Sequence, residues 1–264
     1  MENRSNIQFQ VPREAIEYQL SLLGNSLAQR SYPGYPKRSD RLVADINLLQ
    51  TSFDGRLILP DGSWKVDEHP NQTDNEVQAT EATQEQLLLQ GLRLDVNGHP
   101  LHPWLSDMIS NPDIGVVTGK GAYWRWGPNQ TVDPIVIKNG HVLLIKRKDT
   151  GNWALPGGFI DKDESSTNAA TREVLEETGI VLSKSNLTIP VYKGPVADIR
   201  ITANAWPETI ALLFILENTR QLTKPKGADD AAEAAWIPLE VALLEDRFFG
   251  SHHYLLQKAV GMIT

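Results

Sequence analysis

Glu173, Glu176 and Glu177 stand at i, i+3 and i+4 in a stretch that reads as helix, which places three carboxylates on one face within reach of one another. Like charges that close repel, and an ordinary solvated helix face intersperses lysine. The pattern therefore points to a divalent cation held by carboxylates, with a purely solvated acidic face as the other reading. Hard oxygen ligands favour magnesium, with manganese able to substitute. Arg172 adjoins the cluster and Glu164 lies about two turns earlier, so the two can pair and lock the helix to the loop before it.

These side chains need elements to hold them. The helical stretch runs from about Ser165 to Thr178, with Gly179 placed as a left-handed C-terminal cap, and the turn Trp153-Ala154-Leu155-Pro156-Gly157-Gly158 leads towards it. Upstream, Ile135 to Lys138 and His141 to Lys146 are two β-rich runs separated by Asn139-Gly140, a strong hairpin signal. Further strands are expected at Ile189 to Tyr192, Thr209 to Leu216 and Ala235 to Ile237, with helices near Leu239 to Leu244 and His252 to Val260. That is a mixed α/β domain.

The N-terminal part is less regular. Ile16, Leu20, Leu23 and Leu27 recur at helical spacing, and a short amphipathic helix is expected over Val11 to Leu23, broken at Gly24-Asn25. Tyr32 to Pro36 reads as a turn, the polar stretch Asp67 to Gln86 as loop, and Asn97 to Gly119, dense in Gly and Pro, as a meandering connection. The expected division is 1–118 as an N-terminal α+β extension and 119–264 as the domain that carries the chemistry.

Composition narrows the function. With 264 residues the chain is long enough for a large core. A net charge of −8 argues against binding to nucleic acid backbones. The absence of cysteine rules out disulfides, thiolate zinc sites, iron–sulfur clusters and cysteine nucleophiles, so any metal must sit on oxygen or histidine. The longest clean apolar run, Ile210 to Leu216, is far short of a bilayer span, so no membrane partner is expected. The first residues lack a secretory apolar segment and carry Glu2, Glu14 and Glu17, which makes the cytoplasm the expected address.

Gly158, five residues, Glu164, seven residues, then Arg172-Glu173-Val174-Leu175-Glu176-Glu177-Thr178-Gly179-Ile180 fit the Nudix box, and the chain resembles the Nudix hydrolases. The resemblance implies an α/β/α sandwich with a mixed sheet. It also implies metal-dependent hydrolysis of a nucleoside diphosphate derivative, a small nucleotide being the partner. The implied metal ligands are Glu173 and Glu177, with Glu176 close by, and a main-chain carbonyl at Gly157. Gly158, Glu164 and Arg172 are the structural positions of the box. A water-activating base is expected either from the loop residues Asp229, Asp230 and Glu233 or from Glu173 or Glu176 on the helix.

Residues outside the box, among them Arg125-Trp126-Gly127-Pro128-Asn129, Asp133-Pro134, Ile145 to Asp149, Asn204-Ala205-Trp206 and Gly227 to Asp230, are similar to the mitochondrial-type ADP-ribose pyrophosphatases and to the related domain of the melastatin-type cation channels. That similarity implies cleavage of ADP-ribose to AMP and ribose 5-phosphate. NADH, a diadenosine polyphosphate or a nucleotide sugar are the alternative substrates, and a non-catalytic ADP-ribose sensor is the alternative class. Asp198, Arg200, Asn204, Phe249 and His252 are the implied substrate contacts, although this chain has Ile199 where the group has proline. Trp124, Trp126, Trp153, Trp206 and Trp236 are expected to be scaffold. Lys146-Arg147-Lys148 either attracts anions or forms a solvated strand end, and the chain is expected to be a monomer or homodimer.

Overall fold

The structure, a computed structural model, describes residues 11–29, 56–58, 64–66, 91–95, 98–111, 119, 123, 125–183, 187–216 and 224–263. In chain order its elements are α1 (Arg13–Gln29), β1 (Arg56–Ile58), β2 (Trp64–Val66), α2 (Leu105–Ser110), β3 (Gly127–Lys138), β4 (His141–Arg147), β5 (Trp153–Ala154), β6 (Gly158–Phe159), α3 (Ser166–Thr178), β7 (Leu187–Pro195), β8 (Ala205–Ile215), β9 (Ala231–Pro238), α4 (Leu239–Ala242) and α5 (His252–Val260). Two compact units result. One takes in the described residues of Met1–Glu17, Thr131–Gly194 and Thr209–Thr264, the other those of Tyr18–Gln130 and Pro195–Glu208. The described residues of 119–130 and 195–208 fall in the second unit.

The larger sheet has seven strands in the order β5-β4-β3-β8-β7, with β6 added to β3 and β9 to β4. β3 and β4 form the expected hairpin. Asn139 (φ 51) and Gly140 (φ 71) take the two left-handed conformations that bend a tight turn with the strands' own twist. β9 runs antiparallel along the whole of β4, from His141 opposite Pro238 to Arg147 opposite Ala231, with a register shift between Lys146 and Arg147. β3 and β8 run parallel: Gly127 N–H donates to the Asn204 carbonyl at one end and Leu216 N–H to the Ile137 carbonyl at the other. The sheet is therefore mixed, and the α/β class is as expected.

In the first unit α3 lays Ala169, Ala170 and Val174 on Val132 and Val136 of β3, Leu143 of β4, and Leu212 and Phe214 of β8. Small residues at the first two positions bring the helix close to the sheet, and each fully buried valine contributes roughly 1.5–3 kcal/mol. This packing fixes which face of α3 turns away from the core towards the Gly157-Gly158 turn.

In the second unit two expectations are corrected. The N-terminal helix does not stop at Gly24-Asn25 but continues to Gln29. The cost of a helical glycine, about 1 kcal/mol, is offset where Leu20 and Leu23 are buried and the Gln19 side-chain carbonyl accepts the Ala197 N–H at 3.2 Å. The connection expected over Asn97 to Gly119 contains α2, whose Leu105 and Met108 are fully buried. Beside it His102 is buried, its pKa pushed down to about 3 by burial, and its Nδ1 accepts the Trp104 N–H while the ring meets the edge of Trp206. The turn at Tyr32 to Pro36, the loop at Asp67 to Gln86 and Trp124 lie outside the described residues. Among the described residues no helix is long and apolar enough to cross a membrane.

Candidate active site

α3 is fixed at both ends by its own sequence. The Ser165 hydroxyl accepts the Asn168 N–H at 3.2 Å, and Gly179, at φ 70, donates its N–H to the Leu175 carbonyl at 2.9 Å. Between these caps the three glutamates separate into two kinds. Glu173 and Glu177 are buried, 8% and 4% exposed, whereas Glu176 is an exposed residue.

The Gly157-Gly158 turn receives the two buried carboxylates. Gly157 N–H donates to Glu177 Oε2 at 2.9 Å. Gly158 lies so close under Glu173 that a Cβ there would meet Oε1 at 2.5 Å, which only glycine avoids.

Arg172 ties the helix to the loop before it, as the box spacing leads one to expect. Its Nε and Nη2 grip Glu164 at 3.0 and 2.8 Å, and Nη2 also donates to the Phe159 carbonyl at 3.0 Å. Nη1 reaches Glu173 Oε1 at 2.7 Å and Glu176 Oε2 at 3.1 Å, so Glu176 turns towards the guanidinium. This hydrogen bonding also holds Glu164 below the usual carboxylate range, because Arg172 favours its ionised form.

Burial works the other way on the two inner carboxylates. Glu177 is pushed up to about 8, first by burial and then by the charges of Glu173 and Asp230, against the Gly157 N–H and Arg147. Glu173 is raised by burial, with Glu176 and Asp229 adding to it and Arg172 opposing. Asp229 and Asp230 are therefore close enough to load the cluster with negative charge.

Backbone bonds hold that loop. Lys226 N–H donates to the Thr178 carbonyl at 2.9 Å, Ala228 N–H to that of Glu177 at 3.1 Å, and Lys148 N–H to that of Asp230 at 3.0 Å. Lys148 Nζ bonds the Asp229 carbonyl, and Asp229 itself sits at φ 48. Glu233 lies further on, in β9 opposite Lys146, and is exposed.

Of the implied substrate contacts, Phe249 and His252 belong to this unit. The Phe249 face is covered by the Arg147 guanidinium at 4.2 Å from the ring centre, and Arg147 is itself forked onto Asp149 at 2.9 and 2.7 Å. His252 Nδ1 accepts the Leu155 N–H at 2.9 Å.

The others belong to the second unit. Arg200 is forked onto Asp198 through Nε and Nη2 at 2.8 and 2.6 Å. Asn204 is buried with its amide engaged at both ends. Oδ1 accepts the Gly119 N–H at 3.0 Å, and Nδ2 donates to Asp95 and to the Pro100 carbonyl at 3.2 Å each. Its side chain holds chain segments together.

Sequence reasoning gave Asp133, Thr209 and Asp149 no role of their own in the site. The signal for Asp133 was available, since a carboxylate inside an apolar strand such as Val132 to Ile137 needs a partner.

The donors fit a hard cation. Glu173, Glu177 and the Gly157 carbonyl offer oxygen only, and a buried carboxylate with a raised pKa regains its charge most readily beside a positive ion. Among the described residues no group of three His, Asp or Glu side chains converges as a ready metal cage.

Residues 128–258 match the NUDIX domain family. The chain carries a NUDIX domain. Its relatives include the mitochondrial ADP-ribose pyrophosphatase of Rattus norvegicus, 31% identical over 180 residues that cover 53% of this chain and 50% of that protein. An ADP-ribose pyrophosphatase of Methanocaldococcus jannaschii is 37% identical over 115 residues, covering 42% of this chain and 63% of that one. A transient receptor potential cation channel subfamily M member-like 2 of Nematostella vectensis is 31% identical over 183 residues, covering 54% of this chain and 11% of the channel. The chain thus spans about half the length of the rat protein and only a small part of the channel. The match includes all of α3 and both glycines of the turn, so the buried carboxylates lie within the NUDIX domain.

Proposed function

We propose that this chain hydrolyses the pyrophosphate bond of ADP-ribose, with water added across a phosphoanhydride to give AMP and ribose 5-phosphate. The observation that carries the reading is the pair of buried carboxylates, Glu173 and Glu177, seated on the Gly157-Gly158 turn. Two relatives named as ADP-ribose pyrophosphatases support the choice of substrate. An intact carboxylate pair also favours a catalyst over a sensor, because recognition alone does not call for two buried acids.

Glu173, Glu177 and the Gly157 carbonyl would hold the metal, with Glu176 at the margin. When bound there, magnesium, or manganese in its place, supplies Lewis acidity towards the diphosphate oxygens. Asp229 or Asp230 accepts the proton of the attacking water, and Glu173 or Glu176 is the alternative acceptor. Arg172 and Glu164 keep the helix in register with the glycine turn. Asp198 and Arg200 are proposed to contact substrate, and Asn204 to hold the chain segments around it in place. Phe249 and His252 complete the proposed contacts. The proposed address is the cytoplasm, and the proposed state a monomer or homodimer.

The test is a panel of ADP-ribose, NADH, a diadenosine polyphosphate and a nucleotide sugar, assayed with magnesium and with products separated by chromatography. ADP-ribose should give the highest kcat/KM, with AMP and ribose 5-phosphate as the only products. Faster cleavage of another member at equal concentration overturns the choice.

A further inference from the structure

Lys148 directly follows β4, and both of its donors turn to the loop that bears Asp229 and Asp230. Its main-chain N–H donates to the Asp230 carbonyl at 3.0 Å, which carries the pairing of β4 with β9 one step beyond Arg147 and Ala231. Its Nζ donates to the Asp229 carbonyl. One residue thus holds two successive carbonyls of the loop, a task that neither anion attraction nor a solvated strand end describes.

The loop is a tight turn. Ala231 N–H donates to the Ala228 carbonyl at 2.9 Å, so Asp229 and Asp230 are its two central residues. Asp229 stands at φ 48, in the left-handed region that aspartate enters more readily than most side chains and that persists where the surroundings over-determine it. At the entry, Gly227 is pressed onto β9, where a Cβ would meet the Glu233 nitrogen at 2.8 Å, and Ala228 N–H is bonded to the Glu177 carbonyl at 3.1 Å. These bonds fix the ends of the turn. They leave the middle peptide, between Asp229 and Asp230, able to rotate, and its rotation changes ψ of Asp229 and φ of Asp230 together. Both carboxylates are then re-aimed.

The oxygen of that middle peptide is the one that Lys148 Nζ holds, from outside the turn. What the rotation would move matters to the site, because the charge of Asp229 bears on Glu173 and that of Asp230 on Glu177. We infer that Lys148 is a positioning residue for the acidic loop: its ammonium group locks the peptide between Asp229 and Asp230 and so aims the carboxylate that takes the proton of the attacking water. The inference rests on the proposed reading of this loop as the source of the base, and it gives the lysine no contact with substrate.

The experiment compares Lys148→Met, which keeps the apolar stem and loses the donor, with Lys148→Arg, which keeps a donor of sufficient reach. Rates are measured at saturating magnesium on whichever member of the substrate panel the wild-type protein cleaves best, so the identity of the substrate does not enter. Lys148→Met should lower kcat about five- to tenfold with KM changed less than about twofold, and Lys148→Arg should recover most of the loss. Combined separately with Asp229→Asn and Asp230→Asn, Lys148→Met should cost little more in the background that has already lost the base. Amide exchange of the metal-free protein gives a readout apart from activity. The Ala231 N–H, which closes the turn, should exchange about fivefold faster or more in Lys148→Met and return towards the wild-type rate in Lys148→Arg. Thermal melts of each variant report on folding. A loss confined to KM, or a full further loss in both aspartate backgrounds, overturns the inference. So does unchanged exchange, which fails the lysine and leaves the loop base standing. Faster exchange together with wild-type kcat in Lys148→Met and in both aspartate variants fails the loop as the source of the base, and the positioning role with it.

Discussion

The carboxylate of Glu173 rests on the α-carbon of Gly158, where a methyl group would meet its Oε1 at 2.5 Å and its Cδ at 2.7 Å. Gly158→Ala therefore displaces a proposed metal ligand without touching its charge. Turnover of ADP-ribose should fall on the order of a hundredfold or more, with the magnesium concentration for half activity raised. Wild-type rate and wild-type magnesium dependence in this variant would show that Glu173 is not where the metal needs it.

The raised pKa of Glu177, about 8 against an ordinary 4.5, makes stability depend on pH. Between these values the folded state keeps a proton that the unfolded chain has released. Metal-free stability from this group is therefore greatest below about 4.5 and is lost as the pH rises towards about 8. Glu177→Gln mimics the protonated form at every pH. In melts with chelator present, the variant should gain on the wild-type protein between pH 5 and pH 8, and added magnesium should stabilise the wild type more at the higher pH. A constant difference between the two proteins across that range would contradict the assignment.

The loop acids separate by substitution. Asp229→Asn, Asp230→Asn and Glu233→Gln are compared for kcat at saturating substrate and magnesium, and a general base should cost about 10²–10⁴-fold. The larger loss is expected at Asp230, whose charge reaches the buried Glu177, and the smallest at the exposed Glu233. Losses below about tenfold in all three would move the base to the helix carboxylates.

Arg200→Ala removes a cation forked onto Asp198 and proposed to face substrate. KM for ADP-ribose should rise about tenfold or more, as fits a charge-assisted contact worth roughly 1.5–3 kcal/mol, with kcat changed much less. A fall in kcat at constant KM would place the residue outside substrate binding.

What was legible in the sequence was local. Ser165 and Gly179 mark the ends of α3 because a cap is made within one turn of chain, and Asn139-Gly140 bends the hairpin for the same reason. The carboxylate cluster was legible because its spacing is the helix's own. What was not legible depends on distant partners. Nothing near Gly24 says that buried Leu20 and Leu23 will carry α1 past it. The hydroxyl that orients Asp133 comes from Thr209, 76 residues away. Arg147 reads as one of three surface cations until the fold lays it over Phe249. Glu176 resembled its neighbours by type and spacing, and only its exposure in the fold separates it from the buried Glu173 and Glu177.

The central claim is that Glu177, with Glu173, holds the metal that makes this chain a hydrolase. It is tested most directly by initial rates of ADP-ribose cleavage as magnesium is titrated into the wild-type protein and Glu177→Gln. The account predicts turnover that appears with magnesium in the wild type and is lower on the order of a thousandfold or more in the variant even at saturating metal, with the fold intact by circular dichroism. A wild-type rate for Glu177→Gln in saturating magnesium would contradict it.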